Sequence, residues 1–275
     1  MRHPRSLALA STAIVVLATA CAGSPADTGS ALDAALAGSH RSEANRARDI
    51  YRHPKETLEF FGLRDDMKVI ELWPGGGWYT EVLAPVLRER GKLIAGFGDP
   101  AKSAYFARTR TAFEDKLKAT PSLYDRVEVI TFHPPESVVL GDAGTADMVL
   151  TFRNLHNWMQ NGKLDPVFLA AYRALKPGGT FGVVEHRAKP DADDATVAKS
   201  GYVREDHAIR VAESVGFRLV AMSEINANPK DTKDYKDGVW TLPPVYRLGE
   251  VDKAKYAAIG ESDRMTLKFV KPKGK

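Results

Sequence analysis

One cysteine, Cys21, stands in 275 residues, so no intramolecular disulfide can staple this chain and its stability must come from a packed core. Strong charge of either sign is also missing. The 39 Lys and Arg residues against 35 Asp and Glu leave a net charge of +4, too small and too dispersed to furnish a nucleic-acid surface. The one dense basic stretch, the tail KFVKPKGK, reads as a solvated end. No internal repeat is present, which excludes a solenoid or propeller. Long apolar runs are absent too: the longest, SLALASTAIVVLATA, falls short of the length that spans a bilayer.

That run does have a use. It follows Arg2 and Arg5 and suits the core of a secretory signal peptide over residues 1–20. It ends LATAC, and the small residues before Cys21 resemble the lipobox of bacterial lipoproteins, with Ala18 where such boxes usually carry leucine. The resemblance implies a lipidated Cys21 as the new N-terminus; cleavage after an A-x-A-like site is the alternative. Either reading exports the protein, to a periplasmic location with membrane attachment only through that lipid. Residues 21–40 are rich in small and polar side chains and are expected to form a flexible tether, leaving 41–275 as one α/β domain.

Periodicity organises the rest. RSEANRARDIYRHPKETLEFF (41–61) is helical, broken at Pro54, with Leu58 and Phe61 facing inward. Short apolar strands are expected at MKVIEL (67–72), KLIAGFG (92–98), RVEVITF (126–132), ADMVLTF (146–152), TFGVVEH (180–186), RLVAMSEI (218–225) and MTLKFVK (265–271). Helical patterns separate the first six, among them TEVLAPVLRERG, SAYFARTRTAFEDKLKAT, LDPVFLAAYRAL and REDHAIRVAESVGF. The alternation predicts a doubly wound sheet with right-handed crossovers. Residues 226–263 interrupt it with a polar connection long enough to be a lid, a binding loop or disordered, with Lys233, Tyr235 and Trp240 as its candidate lid residues.

In such a sheet the ligand sits beyond the C-terminal strand ends. The PGGG turn after the first strand lets main chain approach a ligand, and the next helix offers free N–H groups. Asp99, 22 residues after Gly77, stands where a carboxylate binds ribose hydroxyls. A nucleoside-containing ligand is the inference.

ELWPGGGW, GFGDP and LKPGGTFGVVEH resemble motifs of class I S-adenosylmethionine-dependent methyltransferases over roughly residues 45–272, and YRHPKETLEFFGL and TFRNLHNW are similar to an exported group within them. The resemblance implies a Rossmann-like seven-stranded sheet with its last strand antiparallel, inserted between the fifth and sixth. It implies S-adenosyl-L-methionine as cofactor: Glu71 at the methionine end, Gly75, Gly76 and Gly77 along it, Asp99 on the ribose, the HPPES loop beginning at His133 beside the adenine, and Arg153 and Asn154 facing the amino-acid portion. Two positions depart from the pattern. Trp73 replaces the family's first glycine, to close the approach or to stack on the cofactor, and His133 and Pro134 replace the acid after the third strand.

His156, just past the fourth strand, is the candidate general base, because imidazole titrates near neutrality; a structural histidine in the loop is the competing reading. Trp158 would wall the acceptor pocket or join the core. His133, His156 and His186, with Glu185 beside the last, end three successive strands, yet no two histidines have helix or hairpin ligand spacing, so no metal is expected. The function expected is methyl transfer to a small molecule or envelope component. The alternatives are an exported binding protein that keeps the fold, and a nicotinamide-dependent oxidoreductase, against which Thr80 occupies the place of the third fingerprint glycine.

Overall fold

Successive side chains of a strand point to opposite faces, and the first strand, Lys68–Leu72 (β1), uses both. Val69 joins one apolar layer and Ile70 and Leu72 join the other, as expected of a strand buried on both sides. The same division runs through Lys92–Phe97 (β2) and Ala146–Phe152 (β4), where Leu93, Met148 and Leu150 face one layer and Ile94 and Val149 the other. With Glu128–Thr131 (β3), Leu175–His186 (β5), Arg218–Ser223 (β6) and Arg264–Val270 (β7), these strands form one sheet in the order β3-β2-β1-β4-β5-β7-β6. Strand β7 is antiparallel to both neighbours. The Rossmann-like seven-stranded sheet expected from sequence is therefore present in the computed structural model, which describes residues 26–274. The expected leader and Cys21 lie outside the described residues.

The helices Leu155–Gln160, Leu164–Ala174 and Glu205–Ser214 cover one face. Ala26–Ala37, Pro54–Phe61 and Thr80–Leu87 cover the other, with Leu58 and Phe61 fully buried.

Three expectations change. The described part of the tether, from residue 26 onward, begins with the helix Ala26–Ala37, whose Leu32 and Ala35 are buried against Val82 and Leu83. Small residues that read as flexible linker also let two helices approach closely, and alanine is the strongest helix former. The domain therefore begins by residue 26, not at 41.

LKPGG, which precedes the strand expected at 180–186, lies inside β5: Leu175 already pairs with Ala146, and the glycines take up the register shift before Met148 pairs with Thr180.

The connection 226–263 is ordered. Asp231 accepts hydrogen bonds from the Tyr202 hydroxyl at 2.9 Å and the Asp263 N–H at 2.8 Å, and Asn226 donates to Thr57 at 3.0 Å and Thr266 at 2.9 Å. Buried hydrogen bonds of this kind fix an otherwise polar segment.

Candidate active site

The strand order reverses between β1 and β4, where an open α/β sheet leaves a crevice. Two loops shape it. Trp73 and Arg153, the first residues past β1 and β4, both have left-handed backbones, with φ of 46° and 61°. Each is held there by the ladder it leaves: the Trp73 N–H donates to Gly96 at 2.8 Å and the Arg153 N–H to Val184 at 2.7 Å. Such conformations cost about 1–3 kcal/mol and persist only where the surroundings impose them. The buried Asn154 carboxamide joins the two loops, donating to the Leu72 carbonyl at 3.0 Å and to Thr151 Oγ1 at 3.2 Å.

Trp73 divides the crevice. Its indole N–H donates to the Phe132 carbonyl at 3.0 Å, and its ring lies 5.0 Å from that of Phe106 and 5.2 Å from that of Trp158. On the β2–β3 side a chamber of about 380 Å³ remains between Trp73, Phe97, Phe106 and His133. On the β4–β5 side lies a chamber of about 490 Å³. Gly75, Asn154 and Asn157 line both, and both volumes suit small-molecule sites.

The expected residues divide between these spaces. Glu71, Gly75, Gly76, Arg153, Asn154 and His156 line the larger chamber, and His133 the smaller. Gly75 and Gly76 have open space where a side chain would begin. Gly77 lines neither chamber; a Cβ there would meet the Phe113 ring at 2.9 Å, so this glycine serves packing. Asp99 also lines neither. Its carboxylate accepts the Ala101 N–H at 2.9 Å, while its own N–H donates to His133 Nδ1 at 3.3 Å. Trp158 is fully buried against the smaller chamber rather than the larger.

His156 has a built environment. The buried Glu185 carboxylate accepts the Leu155 N–H at 2.5 Å and the His186 N–H at 2.8 Å, and its Oε1 lies 3.2 Å from His156 Nδ1. With Nδ1 facing a carboxylate, the proton resides on Nδ1 and Nε2 is left as an acceptor. Trp240 of the long connection packs edge-on at 5.9 Å from the His156 ring and, with Pro243 and Pro244, roofs the chamber. Lys233 instead pairs with Asp263 at 2.7 Å, and Tyr235 packs on Tyr256. Burial, then the Arg264 charge, hold His186 well below the usual imidazole range.

His156, Glu185 and His186 bring ligand-type atoms within 4.8 Å of one another, a spacing a cation could bridge. Two facts oppose one there: Glu185 is already satisfied by three N–H groups, and the surrounding charge is positive. His133 lies apart from this group, on the other side of Trp73.

That positive charge was not foreseen. Arg48, Arg52, Arg153 and Arg264 all border the larger chamber, with Glu261 among them. Glu261 accepts from Arg48 Nε at 2.5 Å, from Arg264, and lies 3.5 Å from Arg52. Burial raises its pKa, but the Arg264 charge and the Arg48 hydrogen bond outweigh this and bring it down to about 2. Glu71 goes the other way: burial lifts it to about 7, against the Thr80 hydroxyl that donates to it at 2.6 Å. A clamp holds the arginine-bearing segment in place. Arg41 pairs bidentately with Asp49 at 2.7 Å, and Asn45 donates to Glu81 at 2.9 Å. The sequence signal was RARDIYR, with Arg48 and Arg52 one helical turn apart on a segment read only as a broken helix.

No family model matches this sequence, and no curated protein matches it significantly. Solved structures do match. A SAM dependent methyltransferase from Aquifex aeolicus is 14% identical, with a TM-score of 0.56 over 82% of this chain and 93% of that one. The [4+2]-cyclase SpnF is 14% identical, with a TM-score of 0.56 over 86% of each chain. An arsenic (III) S-adenosylmethionine methyltransferase from Chlamydomonas reinhardtii is 16% identical, with a TM-score of 0.50 over 88% of this chain and 73% of that one. The fold is that of class I methyltransferases, and the cyclase marks it as a scaffold for other chemistry too.

Proposed function

We propose that the protein is an S-adenosylmethionine-dependent methyltransferase acting on a small molecule, outside the cytoplasm if the expected leader operates. The observation that carries this is His156, aimed by Glu185 into a chamber at the glycine turn of β1. The residues fit the cofactor. Gly75 and Gly76 leave room for close approach of main chain, Asn157 lines both chambers with a side-chain amide that has no protein partner among the described residues, and the smaller chamber is a slot with aromatic walls on the side where the adenosyl half belongs. Trp73 is then a stacking wall, and Asn157 takes the place of the turned-away Asp99 as a partner for the ribose.

When bound, S-adenosylmethionine would supply a methyl group on a sulfonium leaving group. His156 Nε2 accepts the proton of the acceptor's nucleophilic atom, and Glu185 holds the Nδ1–H and stabilises the imidazolium that results. Trp240, Pro243 and Pro244 exclude water, which keeps the alignment of nucleophile and leaving group. The antiparallel β7 between β5 and β6 also departs from the parallel strand order of dinucleotide-binding oxidoreductases. A binding protein without transfer chemistry is the second reading, favoured by the hydrogen-bonded Trp73 indole and by the orientation of Asp99.

Incubation with methyl-labelled cofactor and a small-molecule extract should move label into product. His156→Gln should slow that transfer roughly 10²–10⁴-fold while leaving the affinity for S-adenosylhomocysteine unchanged. Undiminished turnover would remove His156 from the chemistry.

A further inference from the structure

A buried guanidinium without a hydrogen-bond partner is costly, because it surrenders hydration and gains nothing. The larger chamber holds one such group, Arg52, and two more guanidiniums, the half-buried Arg153 and the buried Arg264, that are incompletely paired. Arg52, 2% exposed, has neither Nε nor Nη1 satisfied; Glu261 lies 3.5 Å away and the Trp78 ring 4.5 Å. Arg153 makes no side-chain hydrogen bond or ion pair among the described residues, and it opens directly onto the chamber. Arg264 leaves its Nε unsatisfied. These groups act on one another as well as on any ligand: burial, then the Arg264 charge, bring Arg153 down to about 10, and Arg153 in turn helps lower Arg52.

Three of the four guanidinium groups thus share one ionised carboxylate, Glu261, Arg153 has no carboxylate partner among the described residues, and Glu71 is poised near neutrality. The cofactor of the proposed reaction does not close this gap. Its single carboxylate is outnumbered by its own sulfonium and ammonium, so it brings a net positive charge into a positive chamber. Something else must bring negative charge. The walls say what carries it: Trp78, Tyr79, Phe152 and Trp240 surround the arginines with flat apolar surface.

We infer that the larger chamber binds a small organic oxyanion of at least two negative charges, a phosphate ester or a dicarboxylate on a flat apolar body, as the acceptor of the reaction. This rests on the methyltransferase reading for the word acceptor, but the binding claim stands without it. Arg52 and Arg153 are the anion ligands, and Arg48 and Arg264 are held to Glu261 as the fixed positive background. The arrangement also orders the two ligands. An anion neutralises the chamber and so favours a cationic cofactor, and by linkage the cofactor favours the anion equally.

Calorimetric titration of the cofactor-free protein with phenyl phosphate, with isophthalate and with neutral benzamide tests this. At least one anion should bind and benzamide should not, and the affinity should fall as salt is raised. Arg153→Gln and Arg52→Gln should each weaken the anion about tenfold or more. Among the described residues neither native side chain donates a hydrogen bond to the protein, and Arg153 has no ion pair either, so Arg153→Gln should fold and carries the test if Arg52→Gln, which also loses the Glu261 pair, does not; circular dichroism checks both. Binding of phenyl phosphate alone, or of isophthalate alone, identifies the oxyanion. The inference is overturned if neither anion binds the folded protein, or if binding persists unchanged in both variants. Titration with S-adenosylhomocysteine separates this outcome from the function: cofactor binding without anion binding removes only the acceptor claim, and the converse removes only the transfer reading.

Discussion

Replacing Glu261 by glutamine keeps the shape of the side chain and removes the one ionised carboxylate among Arg48, Arg52 and Arg264. The magnitude follows from the carboxyl itself. Its pKa drops from 4.5 to about 2 in the folded protein, which at roughly 1.4 kcal/mol per pH unit is about 3 kcal/mol of stability. Breaking a buried pair from one side costs a similar amount, about 3–5 kcal/mol. For a domain of this size each kcal/mol moves Tm by about 2–4 °C, so Glu261→Gln should melt about 6–12 °C below the parent near neutral pH. The pH dependence has a fixed sign. Because the folded pKa lies below the unfolded one, the contribution is complete above about 4.5 and is lost as pH falls toward 2. Thermal melts of parent and variant at neutral pH and at steps below 4.5 should therefore converge as acid is added. Equal melting temperatures at neutral pH, or a gap that persists undiminished in acid, would refute the electrostatic account of the chamber.

Glu71→Gln should behave in the opposite sense. The Glu71 pKa is raised from 4.5 to about 7, so the native state loses stability as pH rises between those values; the variant should match the parent near pH 4.5 and exceed it above pH 7 by up to about 3 kcal/mol in denaturant unfolding. A parent that stays equally stable across that window would contradict the buried, uncompensated carboxyl. Gly77→Ala should lower Tm without changing ligand affinity, because its Cβ would meet Phe113 at 2.9 Å from a backbone at φ +76°. An affinity loss as large as the stability loss would place Gly77 in the site after all.

The sheet was legible because every strand carries its own apolar run, and the glycine turn because glycine takes φ of +59° at Gly75 without strain and leaves open space beside it for a ligand. His156 was legible by its place at a strand end. Its partner Glu185 was seen only as a neighbour of His186, since nothing in sequence tells which way a strand-end carboxylate turns across 29 residues. Arg264 opens β7 and Arg52 ends a short helix; their convergence depends on β7 returning antiparallel beside β5, a long-range event with no local signature. The helix at 26–37 was missed for a different reason: small, polar composition describes both a linker and a tightly packed helix, and only the partner surface at Val82 and Leu83 decides between them. Trp240 was visible as a candidate lid residue, but what ordered its loop was buried polar pairing around Asp231 and Asn226, which composition conceals.

The most direct measurement is calorimetric titration of the protein with S-adenosylhomocysteine. The account predicts binding in the micromolar range, lost in Gly75→Val, whose branched side chain would project into the shared space of the two chambers from a strained backbone. A folded protein that gives no binding heat, or a Gly75→Val variant that binds as tightly as the parent, would contradict the claim that this crevice is a cofactor site.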